Sequence, residues 1–186
     1  VTRKFLNIGD YHKFKGDGIY DIEKIIVESS NIGTAQMATL IGKKNQKEFF
    51  NKIGFNDRII LENKESAIPL GNKNNWGKVE TATIGYGHGF SITPLHLVKA
   101  YATLSNKGIE VFPTLQLNKK NTKKIVLKNE KSSDFFLSLL KSVVLKSEYT
   151  GPRVRIEGYE VGGKTGTSDL VNPMGGYYKK RNLTSF

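Results

Sequence analysis

The stretch Val161-Gly162-Gly163-Lys164-Thr165-Gly166-Thr167-Ser168 constrains this chain more than any other. A cation sits beside two glycines, and two hydroxyls then alternate with a third glycine. Helix propensity is poor throughout, so an extended backbone is expected. On a strand, Lys164 and Gly166 share one face, while Thr165 and Thr167 share the other. Gly166 would let a substrate backbone come close, and Lys164 could hold an anionic group. The stretch therefore reads as an edge strand that binds a carboxylate-bearing peptide. Gly158, Gly163, Lys164 and Thr165 also satisfy the G-x-x-x-x-G-K-[ST] spacing of a phosphate-binding P-loop. A P-loop needs its lysine to open a helix whose amides hold the phosphates. The residues that follow Lys164 instead carry turn chemistry, with Asn172, Pro173, Gly175 and Gly176 close by. About twenty residues remain, too few for a parallel sheet with its acidic metal ligand. Nucleotide binding is thus the disfavoured alternative.

A chain of 186 residues is long enough for one domain with a sizeable core. It starts at Val1 and stops at Leu183-Thr184-Ser185-Phe186, which reads as a strand cut short, so a piece of a larger protein is expected. No apolar run reaches transmembrane length. The absence of cysteine excludes thiolate chemistry and Cys-based zinc sites. The net charge of +12 admits an anionic partner. The lysines are nevertheless scattered among asparagines and isoleucines, and around Lys119 no aromatic residue is interleaved for base stacking. A solvated surface is expected rather than a nucleic-acid site.

Along the chain, Phe5, Leu6 and Ile8 suggest a short extended piece, followed by Asp10-Tyr11-His12 and a turn at Gly16-Asp17-Gly18. His12 has no partner histidine at ligand spacing. Asp21 caps a helix carrying Ile22, Ile25 and Ile26, and a second helix buries Ile32, Ala35 and Ala38. Between them, Ser29-Ser30-Asn31 reads either as an N-cap or as a polar group facing a cleft. A short helix over 45–53 bears Phe49 and Phe50. Residues 62–78 read as a polar surface connection containing Trp76, the only tryptophan. The glycines of Ile84-Gly85-Tyr86-Gly87-His88-Gly89 imply a tightly packed loop without dinucleotide spacing. His88 and His96 are too far apart to face each other across one turn, and no metal is expected. Thr93-Pro94 opens a helix that Asn106-Lys107-Gly108 closes. Residues 109–117 form a strand interrupted at Pro113, with a hairpin partner over 124–128. Ser132 or Ser133 caps a helix over 135–146 whose apolar side is Phe136, Leu139, Leu140, Val143 and Val144. Val154, Ile156, Tyr159 and Val161 alternate into the glycine-lysine strand. The pattern is α+β, an antiparallel sheet flanked by helices.

Ser29-Ser30-Asn31, the segment 85–108 and Lys164-Thr165-Gly166-Thr167, in that order, resemble the transpeptidase domain of class B penicillin-binding proteins. The likeness is closest to the septal, cell-division type (penicillin-binding protein 3). That family carries S-x-x-K, S-x-N and K-[ST]-G motifs in this order. Asp10-Tyr11-His12, Ser30 to Ala35, Thr93-Pro94-Leu95, Ala100-Tyr101-Ala102 and Asn106-Lys107-Gly108 also fall where the family has similar words. Elongation-type relatives usually carry Asp where this chain has Asn31. One motif departs: no serine occurs before Ser29, so nothing fits the S-x-x-K that holds the nucleophile and base. Ser138-Leu139-Leu140-Lys141 has that spacing but lies out of order on an amphipathic helix, and Ser138 reads as a decoy.

The resemblance implies a partial transpeptidase domain over residues 1–186, truncated at both ends, with an incomplete penicillin-binding-protein fold. It implies a D,D-transpeptidase that needs no cofactor and acts on D-Ala-D-Ala stem peptides, with β-lactams acylating the same nucleophile. Ser29 would relay a proton to the leaving amine, and Asn31 would bind the substrate amide. Lys164 would attract the terminal carboxylate, assisted by the Thr165 and Thr167 hydroxyls along the Gly166 strand. The Thr167 N–H would supply half of an oxyanion hole. Division-machinery partners, the periplasmic side of the inner membrane and a membrane-anchored parent follow from likeness alone. Without its nucleophile the chain is expected to be catalytically silent; a non-catalytic module binding peptidoglycan or a division partner is the alternative.

Overall fold

The computed structural model describes residues 7–11, 18–62, 64–67, 69–71, 76–119, 124–127, 129–148, 150–172, 174 and 177–185. Phe5, Leu6, His12, Gly16, Asp17 and the asparagines at 72, 74 and 75 lie outside the described residues.

The chain opens with helix α1 (Ile22–Val27), started as expected by Asp21, whose carboxylate accepts the Lys24 N–H at 2.7 Å. Ile25 and Val27 face the core, while Ile22 is exposed. Helix α2 (Asn31–Ile53) buries Ala35 and Ala38 and leaves Ile32 largely in solvent. Gly42 breaks its helical geometry with φ 76°, which separates the 45–53 helix expected from sequence as the second limb of one element. Short strand β1 (Ile60–Leu61) precedes the polar connection, and β2 (Lys64–Glu65) and β3 (Leu70–Gly71) lie within it.

Helix α3 (Lys78–Gly85) occupies part of the stretch expected to be a loop. It forms because the Glu80 carboxylate accepts the Gly77 N–H at 2.8 Å, closing the first turn, and because Gly85 allows contact with α2. A Cβ at Gly85 would lie 2.5 Å from that of Ala38. Between the two helices the buried Gln46 amide donates to the carbonyls of Thr81 (2.9 Å) and Ala38 (3.3 Å). Trp76 is 3% exposed, so its polar neighbourhood is no simple surface connection. It packs edge-on against Phe50, which also meets Phe55 and Phe90.

After β4 (Phe90–Ser91), Thr93 and Pro94 start helix α4 (Pro94–Ser105), which ends at Asn106 as expected. Among the described residues, 109–119 and 124–127 make no extended hairpin. One bridge, Ile109 to Ile125, survives, flanked by Glu110 N–H to Lys124 O and Val126 N–H to Gly108 O, both 2.8 Å. Pro113 offers no ladder N–H, and the Leu115 N–H is drawn to the Glu62 carboxylate at 3.0 Å, away from a partner strand. Glu110 is instead fixed by a buried ion pair with Lys99 at 2.7 Å.

Helix α5 (Glu130–Lys146) is capped by Asn129, not by Ser132 or Ser133. Ser133 is fully buried and donates to the Leu104 carbonyl, riveting α5 to α4. Leu140, Val143 and Val144 form its buried stripe. The strand expected over 154–161 is also absent. Pro152 lies in the first turn of a short helix α6 (Gly151–Val154), and Arg155 turns back to bond the Leu145 carbonyl at 2.6 Å. Regular extension begins only with β5 (Gly166–Val171), paired antiparallel to β6 (Tyr177–Ser185), with Gly166 opposite Ser185. Among the described residues the antiparallel pairing is thus spread over three two-stranded sheets, β1–β2, β3–β4 and β5–β6, beside the helices. The fold is α+β.

Helices α1 and α5 are tied through Glu23, whose carboxylate accepts from Ser142 Oγ at 2.6 Å and Lys146 Nζ at 2.7 Å. The Lys146 hydrogen bond, aided by that of Ser142, holds the Glu23 carboxyl below its ordinary value of 4.5. A carboxyl whose pKa falls on folding stabilises the fold above its unfolded value, and that contribution is lost as pH drops through the folded one. Glu23→Gln should therefore lower Tm at pH 7, and thermal melts across pH should show the gap closing as pH falls through and below 4.5.

Candidate active site

The three residues between α1 and α2 have three separate tasks. Helix α1 ends in a Schellman turn, in which Ser29 N–H bonds Ile26 O at 3.3 Å and Ser30 N–H bonds Ile25 O at 3.0 Å. The residue at the left-handed position of such a turn is usually glycine; here it is Ser29, with φ 57°. This conformation costs an L-residue about 1–2 kcal/mol. Ser30, 2% exposed, is the N-cap of α2 and accepts the Gly33 N–H at 2.9 Å. Asn31 donates its amide to the Gly9 carbonyl at 3.0 Å, which leaves its second N–H and its Oδ1 as bonding capacity. The N-cap reading thus holds for Ser30, while Ser29 lies outside the cap and turns its hydroxyl to another element.

Ser29 Oγ accepts a 2.7 Å hydrogen bond from Lys164 Nζ, 135 residues away in sequence. The lysine also donates to the Thr165 carbonyl at 3.1 Å. Both partners are neutral oxygens, and burial pushes the Lys164 ammonium below the usual lysine range. Its position is set from behind. Gly163 N–H bonds the Leu140 carbonyl of α5 at 3.2 Å, and a Cβ at Gly162 would lie 3.2 Å from Leu140 Cβ and from Lys141 N. The two glycines let the backbone lie directly on α5 before β5 begins. Lys164 therefore precedes a strand and opens no helix, which removes the geometry that a P-loop needs.

Thr165 and Thr167 are exposed, and Gly166 is partly covered by its strand partner Ser185. Beside Lys164, Thr165 and Gly166 runs a groove of about 540 Å³, walled by Leu97, Val98 and Tyr101 of α4. That wall was not singled out in the sequence, although Leu95, Leu97 and Val98 give α4 more apolar surface than one core-facing stripe requires. Asp10, quoted there only as part of a motif word, accepts from Ser30 Oγ (3.1 Å) and from the Ile32 N–H (3.0 Å). Ser138 bonds the Phe135 carbonyl at 2.7 Å, and Lys141 pairs with Glu160 at 2.5 Å, so the out-of-order Ser and Lys do not serve each other. His96 is a buried structural residue. Its Nε2 donates to the Asp57 carbonyl at 2.8 Å, and its Nδ1 is hydrogen-bonded with Thr93 Oγ1 at 2.7 Å.

A hydroxyl at a helix junction and a partly desolvated ammonium just ahead of β5 are brought together as a candidate serine–lysine site in an α+β domain. The chain belongs to the penicillin binding protein transpeptidase domain family, whose model it matches over residues 2–186, and within it to class B. It is 31% identical over 188 residues to the probable peptidoglycan D,D-transpeptidase FtsI of Caulobacter vibrioides, covering 98% of this chain and 31% of that protein. It is 32% identical over 187 residues to the stage V sporulation protein D of Bacillus subtilis, covering 92% of this chain and 28% of that protein. Among solved structures it is similar to the TP domain of penicillin-binding protein 3 from Burkholderia pseudomallei, with 26% identity and a TM-score of 0.78 over 87% of this chain and 49% of that one. The chain therefore spans about a third of these curated relatives and half of the solved chain.

The left-handed Ser29 can be tested by two substitutions that both delete the hydroxyl. Ser29→Gly should be more stable than Ser29→Ala by about 1 kcal/mol in denaturant titrations, because only glycine relieves the backbone cost. Equal stability would place Ser29 in ordinary backbone.

Proposed function

We propose that this chain forms part of a serine-type D,D-transpeptidase that cross-links peptidoglycan stem peptides. The observation that carries the reading is the 2.7 Å bond between Lys164 and Ser29, which joins residues of two motifs of the family. In the proposed reaction a serine hydroxyl attacks the carbonyl of the penultimate D-alanine. The C–N bond breaks, and the serine's proton passes through Ser29 to the amine of the departing D-alanine. An amine of a second stem then attacks the ester, forms the cross-link and restores the serine. Lys164 holds the terminal carboxylate by charge and keeps Ser29 in line as the relay. Thr165 and Thr167 offer hydroxyls to the same carboxylate along the Gly166 strand. Asn31 uses its remaining amide capacity on the substrate amide. The Thr167 N–H contributes half of the oxyanion hole, a donor whose loss typically costs about 10²–10³ in rate.

No serine of these 186 residues stands in the nucleophile's place ahead of Ser29, so we propose that the chain alone does not turn over. The same nucleophile would be acylated by β-lactams, in keeping with the family name. Asn31, read through the family resemblance, favours septal cell division, and the same resemblance suggests division-machinery partners, the periplasmic side of the inner membrane and a membrane-anchored parent. No helix among the described residues is long and apolar enough to cross a membrane.

Labelling with a fluorescent penicillin, read by gel and intact mass, tests this reading on the chain alone and on the same protein extended upstream. Label is expected only on the extended form. An adduct on the 186 residues alone would make Ser29 or Ser138 the nucleophile and overturn the role assignment. An extended form that binds stem peptide without acylation would make the protein a binding module.

A further inference from the structure

The junction between α1 and α2, which presents Ser29 to Lys164, is held from both sides. On the α1 side the Schellman turn fixes the backbone. On the α2 side the hold comes from one dipeptide, Gly9-Asp10, which belongs to neither motif. Asp10 Oδ1 accepts the Ile32 N–H at 3.0 Å, and its two carboxylate oxygens lie 3.2 and 3.1 Å from Ser30 Oγ. The Gly9 carbonyl takes the Asn31 amide at 3.0 Å. Three successive residues, Ser30, Asn31 and Ile32, are thus bonded to a dipeptide about twenty positions upstream.

The division of labour is specific. Ser30 Oγ already satisfies the Gly33 N–H, which is all that an N-cap requires. Asp10 takes the next unsatisfied donor, the Ile32 N–H. It also accepts the Ser30 hydroxyl hydrogen, so the oxygen lone pairs of Ser30 are left facing the helix. A carboxylate at a helix N-terminus is favoured by the helix dipole as well. This second layer of bonds fixes where α2 begins, and Ser29 is the residue immediately outside it.

We propose that Asp10 is a positioning residue of the acyl-transfer site. Its carboxylate pins the start of α2 so that the Ser29 hydroxyl meets Lys164, while the neighbouring Gly9 carbonyl sets the orientation of the Asn31 amide. The role assigned to Asp10 rests on the transpeptidase reading; the geometric hold does not.

Two measurements on Asp10→Ala and Asp10→Asn separate these claims. The first is the contact itself, read in the 186-residue chain from NMR cross-relaxation between Ser29 Hβ and Lys164 Hε. It should be present in wild type and Asp10→Asn and lost in Asp10→Ala. The second is penicillin acylation in the full-length protein, resolved into an encounter dissociation constant and an acylation rate constant. Asp10→Ala should lower the rate constant about 10²-fold with the encounter constant little changed, the penalty of a misplaced relay. Asp10→Asn should stay within about tenfold of wild type, because its amide oxygen still accepts from Ile32. Glu62→Gln, whose carboxylate partners Thr114, Leu115 and Lys119 touch neither end of the site, should lose stability and keep the acylation constant. If Asp10→Ala behaves like Glu62→Gln, with contact and rate constant intact, Asp10 is merely structural and the proposal is overturned. If full-length wild type is not acylated at all, the transpeptidase reading falls, and the contact measurement still decides the hold.

Discussion

The hydrogen bond between Lys164 Nζ and Ser29 Oγ closes the molecule on itself, joining a helix junction near the start of the chain to the segment that leads into β5 near its end. Its two ends are prepared by unlike means. Ser29 occupies a left-handed position that glycine would fill at lower cost, so the backbone accepts strain to carry a hydroxyl there. Lys164 stands in a partly desolvated place where its ammonium is less favoured than in water. Strain at one partner and desolvation at the other are both tolerated because the surrounding elements leave these groups little freedom to move. Sites of this kind draw on stability supplied elsewhere, here by the helix contacts.

Helix α5 links the two ends. Its N-terminal half is riveted to α4 through Ser133, and its C-terminal half is tied to α1 through Glu23. Between these points the Leu140 carbonyl receives Gly163 N–H and so sets the height of Lys164 over the cleft. The helix that carries the out-of-order serine and lysine is therefore a platform for the site, and its own Ser138 and Lys141 face other partners. The same arrangement explains why Gly162 and Gly163 precede the lysine: a side chain at Gly162 would press on the α5 backbone.

Features written in short local patterns were legible in the sequence. Asp21, Thr93-Pro94 and Asn106-Lys107-Gly108 act within one turn of where they stand, so the bounds of α1 and α4 followed from them. The strand character of the lysine stretch followed from its poor helix propensity, although pairing begins only at Gly166. Misreadings arose where a distant group took over a local one. Glu62 captured the backbone expected to pair as a hairpin, Arg155 capped α5 where a strand was expected, and the Phe50 cluster drew Trp76 out of a polar run. Of the site, Ser29, Asn31 and Lys164 were named through the resemblance to a family. The hold of Asp10 on α2 could not be read from residue order, because it reaches across about twenty residues, and the left-handed turn at Ser29, though local, lacks the glycine that usually marks one.

The central claim is that Ser29 and Lys164 act as one unit. A double-mutant cycle with Ser29→Ala and Lys164→Met, read as the second-order rate of penicillin acylation in the full-length protein, tests it most directly. A shared relay predicts that each single change costs on the order of 10²-fold or more and that the double variant is little slower than the worse single one. Losses that simply multiply would mean that the two residues contribute independently, and the 2.7 Å bond would then have no part in the chemistry.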